Sequence, residues 1–302
     1  MPAAQFIPRK PRRSSGHRQV DGADEADAPG GATQPPHFAN VGEARTAWMT
    51  TIVHATMKPL MRLWYLGVVD SRASLPHAED VPYSYIPGLG PDRVLILGGH
   101  APASFGVLSH EFGLVGNLSR QVQNITGRGI EIEVCANVSM TLHDLVRRVG
   151  KLPPVSSGAV MVLVGLNDAL RFASIRQWKK DLSALNALIR RHAVEDVHVF
   201  LVEIPPVDLL RTLGPLPKGI ATRHARLLNE ATRRFCRHLT STHFIPFPSV
   251  EAEGGPTLRS WTPETYKEWS RELAAPLAEA LLRAQATQPQ IPESPDRRPA
   301  IA

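Results

Sequence analysis

Short apolar segments alternate with longer amphipathic segments from Asp92 to Ala284, and this alternation restricts the fold more than any other feature of the chain. The apolar segments are rich in Val, Ile and Leu, and their length suits β-strands better than helices. Strands that are apolar throughout belong in a parallel sheet that is covered on both faces. The predicted strands are Arg93–Leu97, Ile130–Cys135, Ala159–Val164, Val197–Val202 and His243–Phe247.

Between the predicted strands, apolar residues recur at helical spacing. The predicted helices are Gly113–Thr126, Leu142–Val149, Ile175–His192, Lys218–Leu239 and Pro263–Ala284. This alternation predicts an α/β domain over residues 92–284, a flavodoxin-like three-layer α/β/α sandwich with a five-stranded parallel sheet. Ligands of such sheets bind where loops leave the carboxyl ends of the strands, so we expect the functional residues in those loops.

The segments outside this domain have a different composition. Residues 1–40 and 285–302 are rich in Pro and polar residues, which predicts disordered tails. Residues 41–91 are predicted to hold an amphipathic helix, Glu43–Leu66, and then an irregular connection, Arg72–Pro91, because that stretch contains four prolines. The apolar face of the helix can pack on its own domain, lie on a membrane or mediate self-association.

The net charge of the 302-residue chain is +6, and basic residues cluster near its N-terminus. Because acidic residues follow that cluster directly, we interpret it as a solvated tail and expect no nucleic-acid partner. Cys135 and Cys236 are too few for a disulfide scaffold and lack metal-ligand spacing, which favours a reducing compartment. We see no signal-peptide pattern and no apolar run of bilayer length, so we expect a cytoplasmic protein without a metal or a cofactor.

Candidate site residues, most of them small or polar, follow the first three predicted strands. They are Gly99 and His100 after the first strand, Val138 and Ser139 after the second, and Gly165, Asn167 and Asp168 after the third. Before the last helix stands the segment Arg259–Thr262. An asparagine in such a loop can direct a side-chain N–H toward a ligand, whereas an aspartate can also cap a helix or hold the loop.

Taken in order, these strands and loops resemble the SGNH (GDSL-type) hydrolase superfamily, particularly its bacterial members, over about Asp92 to Leu282. In that family the first loop carries Gly-Asp-Ser with the nucleophile, the second a glycine of the oxyanion hole, the third an oxyanion-hole asparagine, and the last Asp-x-x-His. The resemblance therefore implies an ester hydrolase with a Ser-His-Asp triad at the carboxyl edge of the sheet.

The resemblance also implies that the residues for bond cleavage are absent. His100 stands at the nucleophile position, Val138 at the glycine position, and Arg259 and Thr262 at the positions of the orienting aspartate and the base, whereas Asn167 is retained. A threonine is no base near neutral pH, and a guanidinium accepts no hydrogen bond. Loss of a triad member costs about 10⁴- to 10⁶-fold in turnover. We therefore expect a catalytically impaired protein that binds a small acyl, ester-like or anionic ligand.

Two alternatives stay open at this point. The site can be rebuilt around His100 with Ser139 or Ser104 as nucleophile, which would give an active esterase or acyl hydrolase. The chain can instead be a non-enzymatic interaction module. His110 and His143 lack the spacing of metal ligands with His100, so no metal site is expected. The further ligand-binding candidates are Gly99, Val138, Ser139, Gly165 and Asp168.

Overall fold

The computed structural model describes residues 58–61, 63–66, 76, 78–152, 157–193, 197–207, 213–247 and 261–287. The predicted N-terminal tail, most of the predicted helix Glu43–Leu66, Arg259 and nearly all of the C-terminal tail lie outside these residues. The described residues all fall within one unit, Thr46–Ala302.

Six β-strands in the described residues form one sheet. They are β1 (Tyr83–Ile86), β2 (Asp92–Gly98), β3 (Ile130–Ala136), β4 (Ala159–Leu163), β5 (His198–Val202) and β6 (Thr242–Ile245). The order is β1-β3-β2-β4-β5-β6, and β2 to β6 are parallel. The parallel strands follow the 2-1-3-4-5 order of flavodoxin-like folds, which confirms the predicted class.

The sheet has one strand more than predicted. β1 lies inside Arg72–Pro91, which was expected to be irregular because of its prolines, and pairs antiparallel with β3, so that Tyr83 lies opposite Glu133. Pro82 and Pro87 flank the strand without interrupting it. Proline is tolerated at the ends of an edge strand, where its missing N–H removes no ladder hydrogen bond.

The helices cover both faces of the sheet. They are α1 (Leu114–Thr126), α2 (Leu142–Val149), α3 (Leu166–Leu170), α4 (Ile175–His192), α5 (Pro215–Cys236) and α6 (Pro263–Thr287). The bounds of α2 and α4 are those predicted, whereas α5 starts and ends three residues earlier than expected. Pro215 occupies the first turn of α5, where its fixed φ favours the helix and no N–H is needed.

The core lies between the sheet and its helices. The central strands β2 and β4 are almost entirely buried, as expected for strands covered on both faces. Helix α1 packs against α6, and α4 packs against both α2 and α5. The helical residues 58–61 and 63–66 add Met61 and Tyr65 to this core, while Leu63 and Leu66 stay exposed. This part of the predicted amphipathic helix therefore packs on its own domain.

Candidate functional site

The loops after all five parallel strands meet at the carboxyl edge of the sheet. These loops enclose a cavity of about 20 Å³, which we call the mouth. That volume accommodates about one water molecule. The cavity is lined by Gly99, His100, Ala101, Met140, Leu163, Val164, Gly165, Leu166, Asn167, Glu203, Pro205, Phe247 and Trp261. The predicted residues His100, Asn167, Gly99 and Gly165 are thus brought together, whereas Val138 and Ser139 do not line the cavity.

His100 is packed among aromatic side chains. Its ring lies nearly parallel to that of Trp261, with centroids 5.7 Å apart, and meets the ring of Phe105 edge-on at 5.5 Å. His100 is only 4% exposed, and Trp261 in turn packs edge-on against Trp269 of α6. His100 therefore belongs to an aromatic cluster that continues into the core.

Asn167 is held by hydrogen bonds on both ends of its amide. Its Nδ2 donates to the backbone oxygen of Val138 at 2.8 Å and to that of Met140 at 2.9 Å, and its Oδ1 accepts from the hydroxyl of Tyr65 at 3.4 Å. An oxyanion-hole donor has to lie about 2.7–3.1 Å from the developing charge. In this arrangement both N–H groups of Asn167 are directed at carbonyl oxygens of the β3–α2 loop.

The turn that carries Asn167 depends on Gly165. Its φ is +121°, a conformation that L side chains rarely adopt, and a Cβ at this position would lie 2.5 Å from a side-chain carbon of Ile204. The glycine therefore allows β4 to turn directly into α3, where Asn167 occupies the second position.

Asp168 has a structural partner. Its carboxylate accepts from the backbone N–H of Leu142, the first residue of α2, at 3.1 and 3.3 Å. Burial raises the pKa of Asp168 to about 7, against the lowering effect of this hydrogen bond and of Arg171. Asp168 thus ties the loop after β4 to the start of α2, which is the loop-holding role that the sequence left open.

Thr262 begins α6. Its hydroxyl accepts from the backbone N–H of Thr265 at 3.3 Å, as an N-terminal capping residue does. Glu264 in the first turn is favourable to the helix dipole. Thr262 therefore serves the helix terminus. Arg259, the other residue predicted in this segment, lies outside the described residues.

A serine–histidine pair appears that the sequence analysis did not predict. Ser104 Oγ lies 2.8 Å from His110 Nδ1, and the backbone N–H of His110 donates to both carboxylate oxygens of Asp80 at 3.0 and 3.1 Å. Burial lowers the pKa of His110, and the Asp80 charge opposes this shift. The six-residue separation inside an irregular loop carries no periodic signal, so nothing in the sequence pattern indicated this pair.

Ser104 itself is sealed into the loop. It adopts a positive φ of 50°, unusual for a residue other than glycine, and it is fully buried. A Cβ on Gly113 would lie 2.2 Å from Ser104 Oγ, so the glycine makes room for the hydroxyl. The pair with His110 therefore stabilises the β2–α1 loop from inside.

The other two candidates lie apart from His100. Ser139 is exposed, and its N–H and hydroxyl both donate to Asn137 Oδ1, at 2.9 and 2.7 Å, which forms a local turn. His143 Nδ1 lies 3.4 Å from a carboxylate oxygen of Asp181. Within the described residues, no group of three or more His, Cys, Asp and Glu side chains is arranged to hold a metal ion.

Comparison with known proteins gives no family model and no curated protein that matches the chain. Solved structures are similar to it. A carbohydrate acetylesterase family member from Sinorhizobium meliloti is 15% identical with a TM-score of 0.46, and the match covers 63% of this chain and 99% of that one. The psychrotrophic esterase EstA from Pseudoalteromonas sp. is 19% identical with a TM-score of 0.42, over 65% of this chain and 100% of that one.

A member of the lipolytic protein G-D-S-L family from Veillonella parvula is 12% identical with a TM-score of 0.46, over 65% of this chain and 99% of that one. The fold assignment of this chain rests on the strand order of its sheet. Among the helices in the described part of the chain, none is long and apolar enough to cross a membrane.

Proposed function

We propose that this chain is an SGNH-fold protein that has lost ester hydrolysis by the family's route and that binds a small ligand, for which acyl, ester-like and anionic groups are the candidates. The observation that carries the proposal is the packing of His100 between Trp261 and Phe105, at the family's nucleophile position, beside a cavity of about 20 Å³. The described side chains around His100 leave space for about one water molecule.

The chemistry of the mouth supports the same proposal. Acyl transfer needs a nucleophile, a base within hydrogen-bond reach and donors aimed at the oxyanion. Thr262 caps α6, and both N–H groups of Asn167 are donated to backbone oxygens. Without the triad, binding and remaining donors supply at most about 10³- to 10⁴-fold over water.

The size of the mouth favours an anionic ligand over an acyl ligand. Pockets for organic ligands occupy about 300–1,000 Å³, far more than the mouth offers. An acyl chain would have to displace Trp261 or Phe247 from the cavity wall. A compact anion needs little apolar volume, and it can bind at the rim of the mouth rather than inside it.

The loss of hydrolysis is tested by assays with p-nitrophenyl acetate and p-nitrophenyl butyrate on the full chain. We expect rates that rise linearly with substrate and that match a His100→Ala variant, whose folding is checked by circular dichroism. A saturable rate that disappears in His100→Ala would overturn the proposal, because it would make His100 part of a working site.

A second candidate function is an active hydrolase with a relocated serine. The observation that favours it is the Ser104–His110 pair at 2.8 Å, since a serine beside a base is the usual arrangement of an activated nucleophile. Ser104 is fully buried, so this function would need the β2–α1 loop to open. It predicts esterase turnover that is abolished by Ser104→Ala and kept by His100→Ala. Ser139 would replace Ser104 in this role if Ser139→Ala alone removed turnover.

A third candidate is an interaction module, supported by the exposed side chains of Leu63 and Leu66. Self-association through residues 43–66 would give a mass above that of the monomer in multi-angle light scattering. A Leu63→Ser/Leu66→Ser variant would then return to the monomer mass.

A cytoplasmic location also stays a proposal, supported by the two free cysteines, Cys135 and Cys236.

A further inference from the structure

A second and larger opening lies next to the mouth. It has a volume of about 360 Å³ and lies where the chain leaves β3 and enters α2. We call it the basic cleft, and it is lined by Asn137, Ser139, Met140, Asp144, Arg147, Arg148 and Lys151. Its loop side lies at the carboxyl end of β3, where ligands of doubly wound sheets bind, and its other side follows α2 to the last turn of that helix.

The charges of the basic cleft do not balance. Arg147, Arg148 and Lys151 are exposed, and no ion pair joins any of them to an acidic group in the described part of the chain. The one carboxylate of the cleft, Asp144, accepts from the hydroxyl of Thr141 at 2.6 Å and from its backbone N–H at 3.4 Å. The cleft therefore carries an excess of two positive charges, three cations against one anion.

Other surface arginines of the protein have a different environment. Arg233 and Arg234 on α5 both pair with Glu230, at 3.5 and 2.8 Å. In the basic cleft, by contrast, Arg147, Arg148 and Lys151 line one opening, where like charges repel each other. A bound anion removes this repulsion.

The loop side of the cleft adds one neutral hydrogen-bond donor, the side-chain amide of Asn137. Asn137 Oδ1 accepts both hydrogen bonds from Ser139, and the Nδ2 group of Asn137 donates to no described residue. Phosphate oxygens accept hydrogen bonds from amides and from guanidinium groups, and arginine in particular binds phosphate in a bidentate way. The cleft thus combines three cations from the end of α2 and the residues after it with one amide donor from a loop.

A simpler account has to be weighed against a binding site. Cations near a helix C-terminus are favourable to the helix dipole, and Arg147 and Arg148 occupy the last turn of α2. That account leaves unexplained the open volume of about 360 Å³ that these cations line together with Asn137. The two explanations differ in their consequences for ligand binding.

We infer that the basic cleft binds the phosphate group of a small phosphomonoester. The inference rests on the proposed function in one respect, because it gives the anionic ligand of that proposal a place outside the mouth. It uses neither His100 nor Asn167. Failure of phosphate binding would therefore leave the esterase result untouched, and the converse also holds.

The test is isothermal titration of the full chain with phenyl phosphate at fixed ionic strength. We expect saturable binding at one site, no binding of phenol, and a loss of affinity of about tenfold or more in Arg147→Ala/Arg148→Ala, because the variant removes both guanidinium groups that would donate charge-assisted hydrogen bonds to phosphate. Asn137→Ala should weaken binding by a smaller factor. The control Lys179→Ala/Lys180→Ala removes the same charge from an exposed part of α4 and should bind like the unchanged protein.

Three results would overturn the inference. They are the absence of saturable binding, an equal loss in the lysine control, and tighter binding of an oligothymidylate than of phenyl phosphate at equal phosphate concentration. The last result would assign the cleft to nucleic acid rather than to a small ligand. Circular dichroism melts of each variant separate lost binding from lost folding.

Discussion

The mouth and the basic cleft share Met140 at the carboxyl edge of one sheet, and they differ in the side chains that line them. The mouth is closed by aromatic rings and by hydrogen bonds between its own loops, whereas the cleft is open and lined by exposed charges. Ligand chemistry at such an edge depends on the loops and not on the strands. In this protein His100 and Trp261, which line the mouth, are buried in the same aromatic cluster as Trp269 of α6.

The comparison predicts that Trp261→Ala lowers the free energy of unfolding more than the other variants do. Trp261 is 8% exposed and contacts His100, Phe105 and Trp269, so its truncation leaves a cavity in the core. We expect the free energy of unfolding to fall by about 3–5 kcal/mol. Urea titration followed by circular dichroism measures the loss. Leu108→Ala, at a residue that is 77% exposed, is the control and should change it by less than about 0.5 kcal/mol. A small change in the free energy of unfolding for Trp261→Ala would mean that the mouth is not part of the hydrophobic core.

Removal of the Asn167 side chain should have the next largest effect. Asn167→Ala leaves the backbone oxygens of Val138 and Met140 without their donor, which we expect to cost about 1–3 kcal/mol of unfolding free energy. The same urea titration gives the value. Unchanged stability together with lost ligand affinity would show that Asn167 serves binding instead.

The pH dependence of stability tests the buried position of Asp168, where burial raises the pKa of the carboxyl group to about 7. The native state then holds this proton more tightly than the unfolded chain, whose value is near 3.8. The contribution of Asp168 to stability is thus fully present below pH 3.8 and is lost as the pH rises through about 7.

Asp168→Asn keeps an oxygen for the Leu142 N–H but removes the titration. The difference in unfolding free energy between this variant and the unchanged protein should therefore shift in favour of the variant between about pH 4 and pH 7. Using the difference cancels other groups, such as His110 and His243, whose pKa values are lowered by burial. A difference that is constant with pH would show that Asp168 titrates normally.

We expect the smallest change in the free energy of unfolding from substitutions in the basic cleft, measured without ligand. Arg147→Ala/Arg148→Ala removes exposed charges, so we expect the free energy of unfolding to change by less than about 0.5 kcal/mol. Thermal unfolding in a phosphate-free buffer measures it. A large loss would mean that the arginines are structural and would weaken the contrast between cleft and mouth.

Much of the fold could be predicted from the sequence because it depends on periodicity. The bounds of α2 and α4 and the order of the parallel strands follow from apolar patterning and from the loops between them. β1 was missed because its flanking prolines resemble those of an irregular segment. An edge strand of four residues gives a weak alternation, which proline masks.

The site was less accessible to prediction. His100 could be placed at the first loop, but its contact with Trp261 depends on the start of α6, far along the chain. The acceptors of Asn167 are backbone oxygens, which no side-chain pattern reveals. The Ser104–His110 pair depends on a positive φ in a loop, and the basic cleft on which face of α2 meets the loop after β3.

The measurement that tests the central claim most directly is the intact mass of the full chain after incubation with a fluorophosphonate, which reacts covalently with activated serines. If the mouth has become core and the buried Ser104 is structural, the mass stays that of the unmodified protein. A stoichiometric adduct that is absent from Ser104→Ala or Ser139→Ala would contradict the claim, because it would reveal a working nucleophile.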